Sequence, residues 1–239
     1  MNSDGNDIIT AVTDAIEPMQ GFFVEASEPG EIVTFTTNPG TKGASLVLNL
    51  SQGRGTIDRA IVRFGEGSTL SKFQLNPNHT KVYIPMNGED YAVVTAEEMG
   101  EMPVNFKAEK NGSYTMSFTA EEVNFNYLHL IDNMTGADVD LLATPSYTFN
   151  AQTTDYATRF RLVFATGNNS TEDFAFFSNG NLVINNEGNA TLQVVDVMGR
   201  ILSSETINGS ASINVNAAGV YMIRLINGEN VKVQKVIIK

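Results

Sequence analysis

The feature that most constrains this chain is its rhythm. Short runs in which apolar residues alternate with polar ones recur along its length, and Gly, Asn or Pro closes most of them. Alternation at every second residue places one set of side chains on one face, as a half-buried strand requires. Leu46, Leu48 and Leu50 share a face, as do Val33 and Phe35 in residues 32–36. Residues 57–64, 82–84, 91–95, 114–118, 125–131 and 159–164 continue the series. Helical patterning is confined to residues 7–16 and 96–99. Many short strands with turn signals between them predict an all-β chain built from sandwiches.

At 239 residues the chain has room for one or two domains and a sizeable core. Its 42% hydrophobic and 18% charged residues fit neither a disordered chain nor a membrane-spanning helix bundle, and no apolar run reaches the length of a membrane helix. There is no cysteine, which excludes disulfides, thiolate zinc sites and cysteine nucleophiles. The formal charge is −12, so a phosphate backbone is repelled and no nucleic-acid partner is expected. That charge is uneven. Residues 1–167 carry 10 Lys/Arg against 21 Asp/Glu, whereas residues 168–239 carry 5 against 6.

The shift in charge coincides with a boundary. Gly167, Asn168, Asn169, Ser170, Thr171, Glu172 and Asp173 form a polar run that cannot bury a core and is expected to be an exposed linker. The division expected is a jelly-roll-like sandwich over 1–167, a linker over 168–173 and a small sandwich over 174–239. In the last segment the strand pattern is regular: residues 182–184, then 191–197 closed by Met198-Gly199-Arg200, then 201–206 closed by Asn208-Gly209. Ile213 and Val215 share a face, and so do Tyr221, Ile223 and Leu225. Asn227-Gly228 is a strong hairpin signal before the final run, 231–238. Six or seven strands fit.

Three stretches of this segment resemble the C-terminal sorting domains of the Por (type IX) secretion system. Residues 191–200, ending Asp196-Val197-Met198-Gly199-Arg200, are similar to that family's strand followed by an Asp-x-x-Gly-Arg turn. Gly219-Val220-Tyr221 is similar to its Gly-x-Tyr strand, and the run containing Lys232, Lys235 and Lys239 to its basic, β-branched last strand. Their order and C-terminal position also match. One feature departs: where many members open on Pro-Asn-Pro, this chain reads Phe174-Ala175-Phe176-Phe177-Ser178-Asn179-Gly180. Upstream, Pro18-Met19-Gln20-Gly21-Phe22-Phe23-Val24 resembles a segment of sandwich regions that precede such domains.

The resemblance implies a small Ig-like fold and a role as an export address. Such cargo crosses the outer membrane through the type IX translocon. A sortase-like peptidase then cuts near the domain's start, and the cargo is released or joined to surface lipopolysaccharide. The expected location is therefore secreted or cell-surface, by way of the periplasm and outer membrane. Asp196, Gly199, Arg200, Gly219, Tyr221, Lys232, Lys235 and Lys239 are the signal residues implied, and residues 167–173 the processing linker. Residues 1–20 hold Asp4, Asp7, Asp14 and Glu17 without a Lys or Arg, so a secretory leader is expected to lie outside this sequence. A folded sandwich with a defined edge suits reading by strand addition, and residues 231–239 supply a candidate edge.

Catalytic chemistry is not expected. The two histidines, His79 in a turn and His129 in a strand, lack a nucleophile-elbow motif or zinc spacing. Residues 132–140 hold Asp132, Asp138 and Asp140 around Gly136. Calcium is one reading, but the loop lacks EF-hand spacing, and a hairpin turn with Gly136 at positive φ is the simpler one. Gly53-Arg54-Gly55 and Gly65-Glu66-Gly67 have no following lysine and read as turns. No cofactor or metal is expected. The function read from the sequence is a non-enzymatic cargo fragment; the alternatives are an adhesin or glycan-binding first sandwich, or the accessory module of an upstream hydrolase.

Overall fold

The computed structural model describes residues 43–238 apart from 66, 68, 74, 75, 77, 168–172, 179 and 216. The segments 7–16, 18–24 and 32–36 lie outside the described residues, as does Lys239. The described residues are all-β and contain no helix.

The first region holds β1 (Ser45–Gln52), β2 (Gly55–Phe64), β3 (Leu70–Ser71), β4 (Lys81–Met86), β5 (Glu89–Ala96), β6 (Met99–Lys107), β7 (Gly112–Glu121), β8 (Phe125–Asp132), β9 (Ala137–Asp140), β10 (Ser146–Ala151) and β11 (Phe160–Thr166). They pair in the order β10-β7-β1-β2-β5-β4-β6-β11-β8-β9, with β3 beside β5. The corner lies in β4. Its first three residues pair with β6 and its last three with β5, so one strand serves two layers. The alternating residues Leu46, Leu48, Leu50, Val62, Val94, Phe106, Met116, Leu130 and Leu162 meet between the layers in one core. Rings from β6, β11 and the distant β10 meet there edge-to-face: Phe106, Phe160 and Phe149.

The second region holds β12 (Ala175–Ser178), β13 (Asn181–Ile184), β14 (Asn189–Asp196), β15 (Ile201–Asn208), β16 (Ala211–Asn214), β17 (Gly219–Asn227) and β18 (Asn230–Ile238). β12-β13-β16 form one sheet and β15-β14-β17-β18 another. Leu182, Ile184, Leu192, Val194, Tyr221, Ile223, Leu225, Val236 and Ile238 fill the core between them. The expected face of Tyr221, Ile223 and Leu225 is the buried one, and the β17–β18 hairpin turns at Gly228, φ +58°.

The structure corrects one element. Residues 96–99 are not helical: β5 ends at Ala96 and β6 begins at Met99. Four residues cannot nucleate a helix when both flanks already have ladder partners. The hairpin reading of residues 132–140 is what forms, with β8 and β9 antiparallel and Gly136 at φ +76°.

Candidate functional site

β14 ends at Asp196, and the next four residues fold back on its side chain. Asp196 Oδ1 accepts the backbone N–H groups of Met198 (2.9 Å) and Arg200 (2.9 Å). Its Oδ2 accepts Arg200 Nε at 2.6 Å. The backbone N–H of Gly199 donates to the Asp196 carbonyl at 3.0 Å, and the turn needs Gly199 at φ +82°. The Asp-x-x-Gly-Arg pattern is thus a turn closed around its own carboxylate. The N–H of Arg200 is the largest influence holding the Asp196 carboxyl below its ordinary value; desolvation, the next largest, opposes it, and the Arg200 side chain and the Met198 N–H outweigh that opposition. The two residues between are thrown outward: Val197 is 73% and Met198 76% exposed.

Gly219 and Tyr221 make a second device. The Tyr221 ring folds back over Gly219 and its hydroxyl donates to the Ala217 carbonyl at 3.0 Å. A Cβ on Gly219 would stand 3.3 Å from the ring. Gly219 is not at positive φ. The residue is there for a close approach.

The register brings these stretches together. Asp196 pairs with Tyr221, and Tyr221 with Val236. Gly219 pairs with Ile238. The end of β14, the start of β17 and the end of β18 therefore lie side by side at one end of the four-stranded sheet. On its outer face Ile201, Val195, Met222 and Lys235 form one row across four strands. Ile237, Ile201 and Leu202 are each more than half exposed there, beside Val197 and Met198. Lys232 is not part of this group: it pairs with Leu225 towards the other end of β18.

One contributor was not singled out from sequence. Gln234, on β18, reaches across to β12. Its Oε1 accepts the N–H groups of Phe174 and Ala175, both at 2.7 Å, and its Nε2 donates to the Ala175 carbonyl at 2.8 Å. A side-chain amide thus copies a backbone ladder and ties the last strand to the first. A glutamine flanked by Val233 and Lys235 carries no signal of a partner sixty residues away.

Of the linker residues, 168–172 lie outside the described residues. Gly167 still belongs to the first sandwich, its N–H donating to the Asn124 carbonyl at 2.8 Å, and Asp173 is exposed just before the buried Phe174.

These features coincide with a family match. Residues 178–239 match the secretion system C-terminal sorting domain. The sorting tail marks the chain as type IX cargo, exported to the cell surface or the medium, and implies an interaction with the type IX machinery. The match takes in β13 to β18 and does not extend into the first sandwich. No curated protein and no solved structure matches the chain.

The histidines and acidic loop are elsewhere. His79 Nδ1 lies 3.2 Å from Glu109 Oε2 on the surface. His129 stacks on Tyr127 at 4.1 Å and its Nδ1 lies 2.7 Å from Asp138. Asp132 turns inward, bridged by Arg159 Nε (3.1 Å) and Arg159 Nη2 (2.8 Å) and bonded by the Tyr147 hydroxyl (3.1 Å). Among the described residues no three metal-ligating groups gather.

Proposed function

We propose that residues 174–239 are an Ig-like export address, read at the end of the four-stranded sheet where the three sequence stretches converge. The observation that carries this is the register Asp196–Tyr221–Val236, which brings stretches far apart in sequence to one end of the sheet. The sheet orders β12-β13-β16 and β15-β14-β17-β18 suit the Ig-like label, and so does the Tyr221 hydroxyl bonded to a carbonyl just upstream of β17. The reader is the type IX translocon, aided by a sortase-like peptidase that cuts between the sandwiches, with surface lipopolysaccharide as one destination of the cargo. Val197→Ser with Met198→Ser tests this reading in the full chain carrying a secretory leader. Surface delivery should fall several-fold with the melting temperature unchanged; unaltered delivery of the folded variant would remove this end of the sheet from the signal.

For the first sandwich we propose a binding or structural role without catalysis. A panel of ester, peptide and glycoside substrates should show no turnover. A second reading, a glycan or adhesive ligand, is favoured by one feature. A cleft of about 500 Å³ is lined by Phe73, His79, Asn76, Gln52 and Glu109, and Phe73 is 66% exposed. An open ring beside amides and a carboxylate can stack on a sugar and bond its hydroxyls. Glycan-array binding lost in Phe73→Ala would support it.

A further inference from the structure

The two sandwiches touch through a built seam. β11 and β13 are apolar on both faces: Leu162 and Phe164 enter the first core, Leu182 and Ile184 the second. The residues between them, Val163 and Val183, meet instead in a separate cluster with Ile131, flanked by Tyr127 and Phe176. Val183 is 1%, Val163 3% and Ile131 6% exposed. Polar contacts ring this centre. Asn185 accepts a bond from Asn126 Nδ2 at 2.9 Å and donates to the Thr166 carbonyl at 3.0 Å. The Ser178 hydroxyl donates to Glu101 Oε2 at 2.6 Å, and the side chains of Tyr127 and Ser212 bond one another. An apolar centre with a polar rim is the anatomy of a specific interface.

The seam is also small. Complexes that hold without a tether use roughly 20–30 residues a side. Here the centre and its rim involve Glu101, Asn126, Tyr127, Ile131, Val163 and Thr166 on one side, and Phe176, Ser178, Val183, Asn185 and Ser212 on the other. A chain of a few residues joining Gly167 to Phe174 raises the effective concentration of one partner at the other to the order of millimolar, which suffices for a contact of this size to persist. Without the tether, micromolar protein falls well below that.

We infer that the sorting sandwich is a tether-dependent mask over an apolar face of the first sandwich, and that cutting between them frees the mask and uncovers Tyr127, Ile131 and Val163. The occasion for such a cut in the cell rests on the export reading; the mask itself does not. In that setting the cargo would keep its apolar face covered until processing is done.

The experiment uses the full chain with a site for a sequence-specific protease inserted between Ser170 and Thr171. Before cutting, binding of a hydrophobic fluorescent dye should be low. After cutting at about 5 μM, far below the tethered concentration, sedimentation should show two separate species and dye fluorescence should rise several-fold. In the uncut chain, Val183→Lys and Asn126→Ala should each raise dye binding, with circular dichroism reporting an intact fold; Val183 points out of its own domain's core, and Asn126 lies on the other partner. Cut halves that still sediment together at that concentration would overturn tether dependence. Separation without a rise in dye binding, or no response to either variant, would overturn the mask. Neither outcome touches export of the intact chain, so failure here and failure of the sorting reading are distinguishable.

Discussion

At the scale of single residues, the most constrained position in the first sandwich is Arg159. Its guanidinium is buried between the rings of Phe149 (4.7 Å) and Phe160 (5.1 Å) and forks onto Asp132, which has no exposed surface. Burial alone would raise the Asp132 carboxyl; the bonds from Arg159 and from the Met134 N–H outweigh it and hold the group below its ordinary value. A carboxyl with a folded value below its unfolded one contributes fully above roughly pH 4, and that contribution is lost as pH falls through the folded value. Thermal melts of the wild type should therefore drop below about pH 4. Arg159→Met, which leaves Asp132 buried without its partner, should cost about 3–5 kcal/mol at neutral pH and flatten the acid slope. An acid slope as steep in the variant as in the wild type would show that the pair does not govern it. In the second sandwich, Tyr221→Phe removes one hydrogen bond and should cost about 1 kcal/mol. Gly219→Val should cost more, because the ring must leave its place over the glycine. Urea midpoints of the two variants compare them directly.

At the scale of elements, alternation made most strands legible: Leu46, Leu48 and Leu50, or Tyr221, Ile223 and Leu225, are buried as their spacing requires. The missed strands have physical reasons. β6 carries Gly100 and Pro103, which interrupt the pattern. Pro103 is tolerated because β4 pairs only with residues 105–107 there, so the position without an N–H faces no second partner. β9 is short and half charged, and its existence depends on the Gly136 turn. Long-range ties were not legible at all. Gln234 is the clearest case. Gln234→Ala leaves the N–H groups of Phe174 and Ala175 without their acceptor and should cost roughly 2–4 kcal/mol, at about 1–2 kcal/mol for each group, the lower part of the range because both are only part-buried. Hydrogen exchange should quicken in β12 before it does in β14 or β17. Uniform exchange across the domain would deny β18 its role as the clasp of β12.

At the scale of the whole molecule, the turn of charge near residue 167 was legible in the sequence, whereas the seam was not. The unbroken apolar runs Leu162-Val163-Phe164-Ala165 and Leu182-Val183-Ile184 reported burial on two faces but could not name the partner of the second face. The three family-like stretches were legible as sequence; their meeting at one end of a sheet came only from the register of β14, β17 and β18. The central claim is that residues 174–239 carry the export address. The most direct test joins them to a folded reporter with an ordinary secretory leader, in a host with the type IX machinery, and compares reporter on the cell surface with reporter held in the periplasm. Surface delivery is expected with residues 174–239 and periplasmic retention without them. Equal surface delivery of the reporter lacking these residues would contradict it.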